Sequence, residues 1–240
     1  MNPPLLELLN VSASFQRDAE SALVTDANWR VAAGDFWCVS GVGGAGKTDF
    51  LMLAAGLHSP TRGAMEFFGA QLPETEAEQL AQRLKVGLVF DGGHLFSQLT
   101  VAENVALPLR YHRELSPSEL AARVESLLEF AELTPWANST PGALGRNWQK
   151  RAGLARALAL EPELLLVDNP LGGADARHSA WWHNALGQLK PTLVVTADDA
   201  AVWHESARQF ARLHEGKLEL QLGATSVDAP SAISNRQSAI

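Results

Sequence analysis

Gly41-Val42-Gly43-Gly44-Ala45-Gly46-Lys47-Thr48 lies between the apolar run Phe36-Trp37-Cys38-Val39 and the helix-like run Phe50-Leu51-Met52-Leu53-Ala54-Ala55. The octet fits G-x-x-x-x-G-K-[ST], the phosphate-binding loop, in the strand-loop-helix setting that this loop needs. Glycines let successive backbone N–H groups turn inward around phosphate oxygens, and the helix that follows points its positive end at them. Gly41, Gly43, Gly44, Ala45 and Gly46 are therefore expected to line a nucleotide's phosphates, Lys47 to reach the outer ones and Thr48 to hold Mg²⁺. The alternative is a glycine-rich strand-to-helix turn with no ligand. The Lys-Thr pair at the required offset speaks for the phosphate loop.

Around this centre the composition sets bounds. A chain of 240 residues, 46% hydrophobic, can bury one sizeable core. Its net charge of −8 argues against a general nucleic-acid surface, which needs clustered Lys and Arg. The single cysteine, Cys38, reads as core packing, so no disulfide framework is expected and a cytosolic compartment is. Met1-Asn2-Pro3-Pro4 lacks the pattern of a signal peptide. Nowhere do about eighteen apolar residues run together. A membrane role would therefore be peripheral, through a partner. The seven histidines and one cysteine show no zinc spacing.

Outward from the loop, Leu5 to Phe15 and Ala22 to Val31 read as strands of an antiparallel region, with turn residues at Gln16 to Glu20. Ala64 to Phe68 and Val86 to Phe90 read as further strands, separated by a polar helix over Glu74 to Arg83. Ser116-Pro117-Ser118-Glu119 is a capping box with proline at the first helical position, and Leu120, Val124, Leu127 and Leu128 follow at helical spacing. A second helix is expected over Trp148 to Leu160 and a third over Trp181 to Leu189. Leu164 to Asp168 and Thr192 to Thr196 are apolar enough to be buried strands. Alternating strands and helices predict an α/β fold with a mainly parallel sheet. Trp181-Trp182-His183, Trp29, Trp37, Trp136 and Trp203 read as packing residues. The small, polar stretch from Gly223 to Ile240 reads as a flexible tail.

The order of these parts resembles the ATP-binding subunit of ABC transporters, from about residue 5 to residue 220. Gly56-Leu57-His58-Ser59-Pro60-Thr61-Arg62-Gly63 is similar to the family's exit from its P-loop helix. Leu99-Thr100-Val101-Ala102-Glu103-Asn104-Val105 is similar to the run that opens its helical subdomain. Arg151 to Leu160 resembles the helix after the family signature, and Leu164 to Asp168 resembles the Walker B strand. The resemblance implies a P-loop NTPase of ABC type over residues 1–222: a parallel core, an antiparallel β region and a helical signature subdomain at about 92–160. It also implies ATP and Mg²⁺ as cofactors, with Phe15 stacking on adenine and Thr48, Asp168 and Asp91 facing the metal.

Several positions depart from that pattern. Where the family ends Walker B in Asp-Glu, this chain has Asp168-Asn169, and an amide cannot take a proton from water at neutral pH. A general base contributes about 10²- to 10⁴-fold, roughly 3 to 5 kcal/mol of barrier. The switch histidine is Ala197, which has no hydrogen to donate to developing charge; His204, the nearest histidine downstream, reads as a surface position on the next helix. The Q-loop glutamine is Asp91, which reads either as a metal-facing carboxylate or as a turn residue before Gly92-Gly93. Asp49 follows Thr48 where the family has a hydroxyl. A charge about 5 Å from phosphate at a dielectric of ~20 opposes binding by roughly 3 kcal/mol before Lys47 and Mg²⁺ offset it. The signature Leu-Ser-Gly-Gly-Gln becomes Leu144-Gly145-Arg146-Asn147-Trp148, which lacks the serine and adds bulk; Arg146 either obstructs a partner's phosphate or offers it a cation.

The resemblance thus implies an ATP-binding subunit, peripheral on the cytoplasmic face of the inner membrane. Its partners would be a permease and a homo- or heterodimeric ABC partner, and its hydrolysis weak or absent. The stretch from Gly92 to Arg110 is similar to importer-like subunits, including those of MCE-type lipid transport, with His94, Leu95 and Phe96 in the groove that receives the permease. Leu95 and Phe96 also suit an apolar core. Two other readings stand beside this one: a pseudo-ATPase serving assembly or regulation, and a soluble ABC protein outside transport.

Overall fold

The P-loop joins two sheets whose cores share its strand. A computed structural model describes residues 3–15, 18–71 and 75–221, without the side chains of 18–20. The expected tail at 223–240 and the turn residues 16 and 17 lie outside the described residues.

Strands β1 (Leu6–Phe15), β2 (Asp18–Val31), β4 (Arg62–Phe67) and β5 (Ala70–Gln71) form an antiparallel sheet in the order β2-β1-β4-β5. Its alternation is that of a sheet with one wet face: Leu6, Leu8, Val11 and Ala13 are buried, while Leu9 and Asn10 are exposed. The second strand starts at Asp18, ahead of the expected Ala22, because pairing with β1 continues to Phe15↔Asp18.

The other sheet runs β10-β9-β3-β8-β7-β6. Here β3 (Phe36–Ser40), β6 (Val86–Val89), β7 (Leu164–Val167), β8 (Thr192–Ala197) and β9 (Gln209–His214) are parallel, and β10 (Lys217–Gln221) pairs antiparallel at the edge. Both faces are covered, so β7 and β8 are buried at every position. Trp29 and Phe50 pack between the two sheets, with ring centroids 5.3 Å apart. Cys38 sits fully buried at the centre of β3, and burial first, then the Asp199 charge, pushes its thiol pKa up to about 12.

Helices α1 (Lys47–Ala54) and α2 (Glu76–Arg83) follow the P-loop and the antiparallel sheet. Helices α3 (Val101–His112), α4 (Pro117–Phe130) and α5 (Arg146–Leu158) form the helical part. Thr100 and Glu103 cap α3 in the same reciprocal way that Ser116 and Glu119 cap α4. Helix α6 (Ala176–Gln188) precedes β8.

Two helices and one histidine differ from expectation. The α6 helix begins five residues early, because the Asp175 side chain accepts the His178 N–H and starts it there. The α5 helix runs from Arg146 to Leu158, two residues ahead of the expected Trp148 to Leu160 at each end. His204 lies at the end of a 3₁₀ turn, Ala200–Trp203, and not on an α-helix. The tryptophans pack as expected: Trp29, Trp182 and Trp203 are buried, and Trp136 is partly so.

Candidate nucleotide site

Three strand ends bring the site together. The P-loop leaves the end of β3, Asp168 follows β7, and Asp198 follows Ala197 at the end of β8, so the carboxyl ends of neighbouring parallel strands meet above α1. Asp168 and Asp198 line a cavity of about 410 Å³ with Phe15, Gly43, Gly44, Gly46, Lys47, Thr48, Asp49, Asp91 and Asn169. Gly41 and Ala45 support it from behind: Gly41 N–H donates to Ala197 O at 3.1 Å and Ala45 N–H to Val42 O at 3.1 Å. Gly46 caps α1 at φ 89°, and a Cβ there would lie 2.6 Å from Phe15 Cε1. The ring is thus set against the P-loop, on the wall expected to receive the base.

Lys47 is nearly buried. Its ammonium donates to Gly41 O at 2.6 Å, to Val42 O at 3.1 Å and to Asp198 Oδ1 at 2.8 Å. Thr48 Oγ1 donates to Asp168 Oδ2 at 2.6 Å, and Thr196 Oγ1 donates to Asp168 Oδ1 at 2.7 Å. The hydroxyl and the carboxylate are hard oxygen ligands side by side in the cavity, and fit a Mg²⁺ ion shared with nucleotide phosphates. Such an ion would neutralise phosphate charge. Asp49 lines the same cavity with a partly exposed side chain, and His58 Nε2 lies 3.9 Å from it.

Asp91 lines the cavity too, but both of its oxygens are engaged. Arg146 Nη2 lies 2.7 Å from Oδ2, and Lys150 Nζ 2.8 Å from Oδ1. Lys150 is a supporting residue of the site that the sequence reading passed over. It is 1% exposed, is ion-paired with Asp91 and donates to Asn169 O at 2.9 Å and Gly172 O at 2.7 Å, so one buried ammonium ties α5, the end of β6 and the loop after β7. Its visible signal was a lysine beside Arg151 on the inner face of a helix.

Asn169 stands at φ 43°, with its N–H donating to Thr196 Oγ1 at 2.9 Å. Its amide group lies directly over Gly172, where a Cβ would collide with it. Ala197 is buried at the end of β8. Gly145, in the place of the signature serine, caps α5 without any side-chain bond. Trp148 turns back onto its own chain: its ring is T-shaped to His178 at 5.1 Å, and the Arg151 guanidinium lies 4.5 Å from its centroid. Arg151 is fully buried, 3.9 Å from the Trp181 ring and 2.7 Å from Glu132 Oε2.

The loop after β6 is fixed to the helical part. Arg156 donates to His94 O at 3.0 Å and to Gly93 O at 2.9 Å, and buried Asn104 accepts the Phe96 N–H at 2.8 Å. His94 stacks on Phe90 with centroids 4.5 Å apart, and Leu95 packs on the helical core. The Phe96 ring is 56% exposed.

Similarity to known proteins agrees with this geometry. A family model described as ABC transporter matches residues 24–172. The sulfate/thiosulfate import ATP-binding protein CysA of Photorhabdus laumondii subsp. laumondii is 32% identical over 221 residues, 89% of this chain and 59% of that protein. The spermidine/putrescine import ATP-binding protein PotA of Pseudomonas aeruginosa is 31% identical over 233 residues, 97% of this chain and 61% of that protein. The chain thus spans about three-fifths of the length of these curated relatives. Among solved structures, the ATP-binding cassette MJ0796, dimeric in a post-hydrolysis state with ADP and Pi, superposes with a TM-score of 0.82 at 28% identity, covering 89% of this chain and 96% of that one. CbiO1 of Clostridium perfringens shares the fold with a TM-score of 0.79 at 20% identity, covering 92% and 89%. With a P-loop after β3, an aspartate after β7 that accepts from the P-loop threonine, and a family match over residues 24–172, the chain belongs to the ABC transporter family.

Proposed function

We propose that this chain is the ATP-binding subunit of an ABC transport system, binding a Mg²⁺-nucleotide at the P-loop and passing its nucleotide state to a membrane permease, with little hydrolysis of its own. The observation that carries the reading is the contrast within one cavity. Lys47, Thr48 and Asp168 converge there, while Asn169 brings an amide where the family resemblance expects a base, and Ala197, buried at the end of β8 beside the cavity, has no hydrogen to donate. The relatives are named as import ATP-binding proteins, which favours transport over a soluble role. No helix among the described residues is long and apolar enough to cross a membrane, so attachment on the cytoplasmic face would run through a permease, with Phe96 at the contact. Pairing with a second ABC chain, identical or not, belongs to the same proposal; MCE-type lipid transport remains one candidate system.

A regulatory pseudo-ATPase is the second reading, favoured by one observation: Arg146, in the signature, is bound to Asp91 of its own chain. Phosphate release by purified protein, alone and with a co-expressed permease, tests the main reading. Release that is slow in both, with Mg²⁺-dependent nucleotide binding abolished in Lys47→Ala, supports it. Fast release by the isolated chain overturns it.

A further inference from the structure

The ligand class of this site follows from what Lys47 already holds, an inference that rests on the nucleotide-binding reading above. An ammonium has three N–H donors. In Lys47 they meet Gly41 O, Val42 O and Asp198 Oδ1, at 2.6, 3.1 and 2.8 Å. The P-loop backbone cradles the two phosphates nearest the nucleoside, and the lysine reaches the second and the third. The terminal phosphate of a triphosphate would therefore meet a cation already neutralised by a carboxylate. It would also meet Asn169, which brings no positive charge. A diphosphate asks less of Lys47, because it needs only the inner of the two lysine contacts and leaves Asp198 as the anion at the outer end.

We propose that this P-loop prefers nucleoside diphosphate to triphosphate, with Asp198 standing on Lys47 in place of a terminal phosphate. Asp198 is 66% exposed, so a triphosphate can displace it into solvent. The selectivity is then an affinity difference between ligands and not a steric bar. Asp49 and Asp168 line the same cavity and act in the same direction, since each added phosphate charge meets carboxylates that a bound cation must offset.

Calorimetric titration of the full chain with ADP and with the non-hydrolysable imido analogue of ATP, each with Mg²⁺, tests this. The wild type is expected to bind ADP at least about tenfold more tightly. Asp198→Asn removes the competing charge and keeps the shape, and is expected to narrow that ratio at least about fivefold, mainly through tighter triphosphate binding; Asp198→Ser serves as a second variant on the same exposed position. Triphosphate binding as tight as diphosphate in the wild type, or a ratio the same in wild type and both variants, overturns the proposal. If both nucleotides bind, Lys47→Ala weakens both and the triphosphate wins, only the selectivity fails. If neither binds the wild type, the nucleotide reading fails and this proposal with it.

Discussion

Asp91 is shared between two cations of one helix: Arg146 on the surface and Lys150 one turn further on, in the interior. The two halves of this bridge differ in strength. Arg146 is 65% exposed, and solvent-screened pairs contribute about 0–1 kcal/mol. Lys150 is 1% exposed, and removing a partner from a buried charged donor costs about 1–3 kcal/mol. Asp91→Ala is therefore expected to lower the unfolding free energy in urea by about 1–3 kcal/mol, and Arg146→Ala by less than about 1. Equal losses in the two variants would show that the surface pair dominates.

Asn169 is held in the left-handed region, which asparagine tolerates better than most residues. Asn169→Gly relieves the backbone, whereas Asn169→Glu puts a longer side chain at φ 43° and costs stability of about 1 kcal/mol. The added carboxylate is nevertheless a base, and phosphate release is expected to rise about 10- to 100-fold, short of the usual span because Ala197 donates nothing. A glutamate variant that folds, binds nucleotide and gains no activity would place the defect elsewhere, in Ala197 or the signature.

The Arg151 guanidinium lies between Trp148 and Trp181, and its Nε and Nη2 have no hydrogen-bond partner among the described residues. Glu132 is its charged anchor, 2.7 Å away. Glu132→Gln keeps an acceptor but removes the charge, and is expected to cost about 1–3 kcal/mol in chemical denaturation. Arg177 also reaches Glu132, at 3.5 Å, but is 72% exposed. Arg177→Ala should therefore change stability by less than about 1 kcal/mol. The reverse order of losses would mean that Glu132 is anchored by the surface arginine.

His178 titrates low. Burial, first, and the nearby Arg151 charge hold its imidazole below the usual value of 6.5. Below that value the unfolded chain takes up a proton that the folded chain resists. Stability from this group therefore rises with pH between the lowered folded value and 6.5, and is flat above. Urea midpoints measured at about pH 7.5 and about pH 5.5 should fall further in the wild type than in His178→Phe, which keeps a ring beside Trp148 and cannot protonate. An identical fall in the two proteins would count against an imidazole held neutral by its surroundings.

Local chemistry was the legible part of this sequence. The P-loop, the capping box at Ser116 and Glu119, and the apolar strands that start at Leu164 and Thr192 each declare themselves within a few residues. What escaped depends on residues far apart in the chain. Lys150 acquires its role from Asp91, Asn169 and Gly172, and Asp198 reaches back to Lys47 only because β8 lies beside β3. Boundaries slipped where a cap lay outside the apolar pattern. Asp175 starts α6 in a stretch whose first apolar pair is Trp181-Trp182, and Arg146 starts α5 without the capping side chain that normally marks a helix.

Cys38 turns the centre of the sheet into a stopwatch. It is the only sulfhydryl in the chain, it is fully enclosed, and with its acidity suppressed to about 12 it offers alkylating agents almost no thiolate. A reagent can mark it only when β3 parts from its neighbours, so the labelling rate reports how often that happens. Because β3 runs straight into the P-loop, any ligand that tightens the loop should slow the mark in proportion to its grip. One native sulfur thus gives a readout of occupancy that needs neither a dye nor turnover.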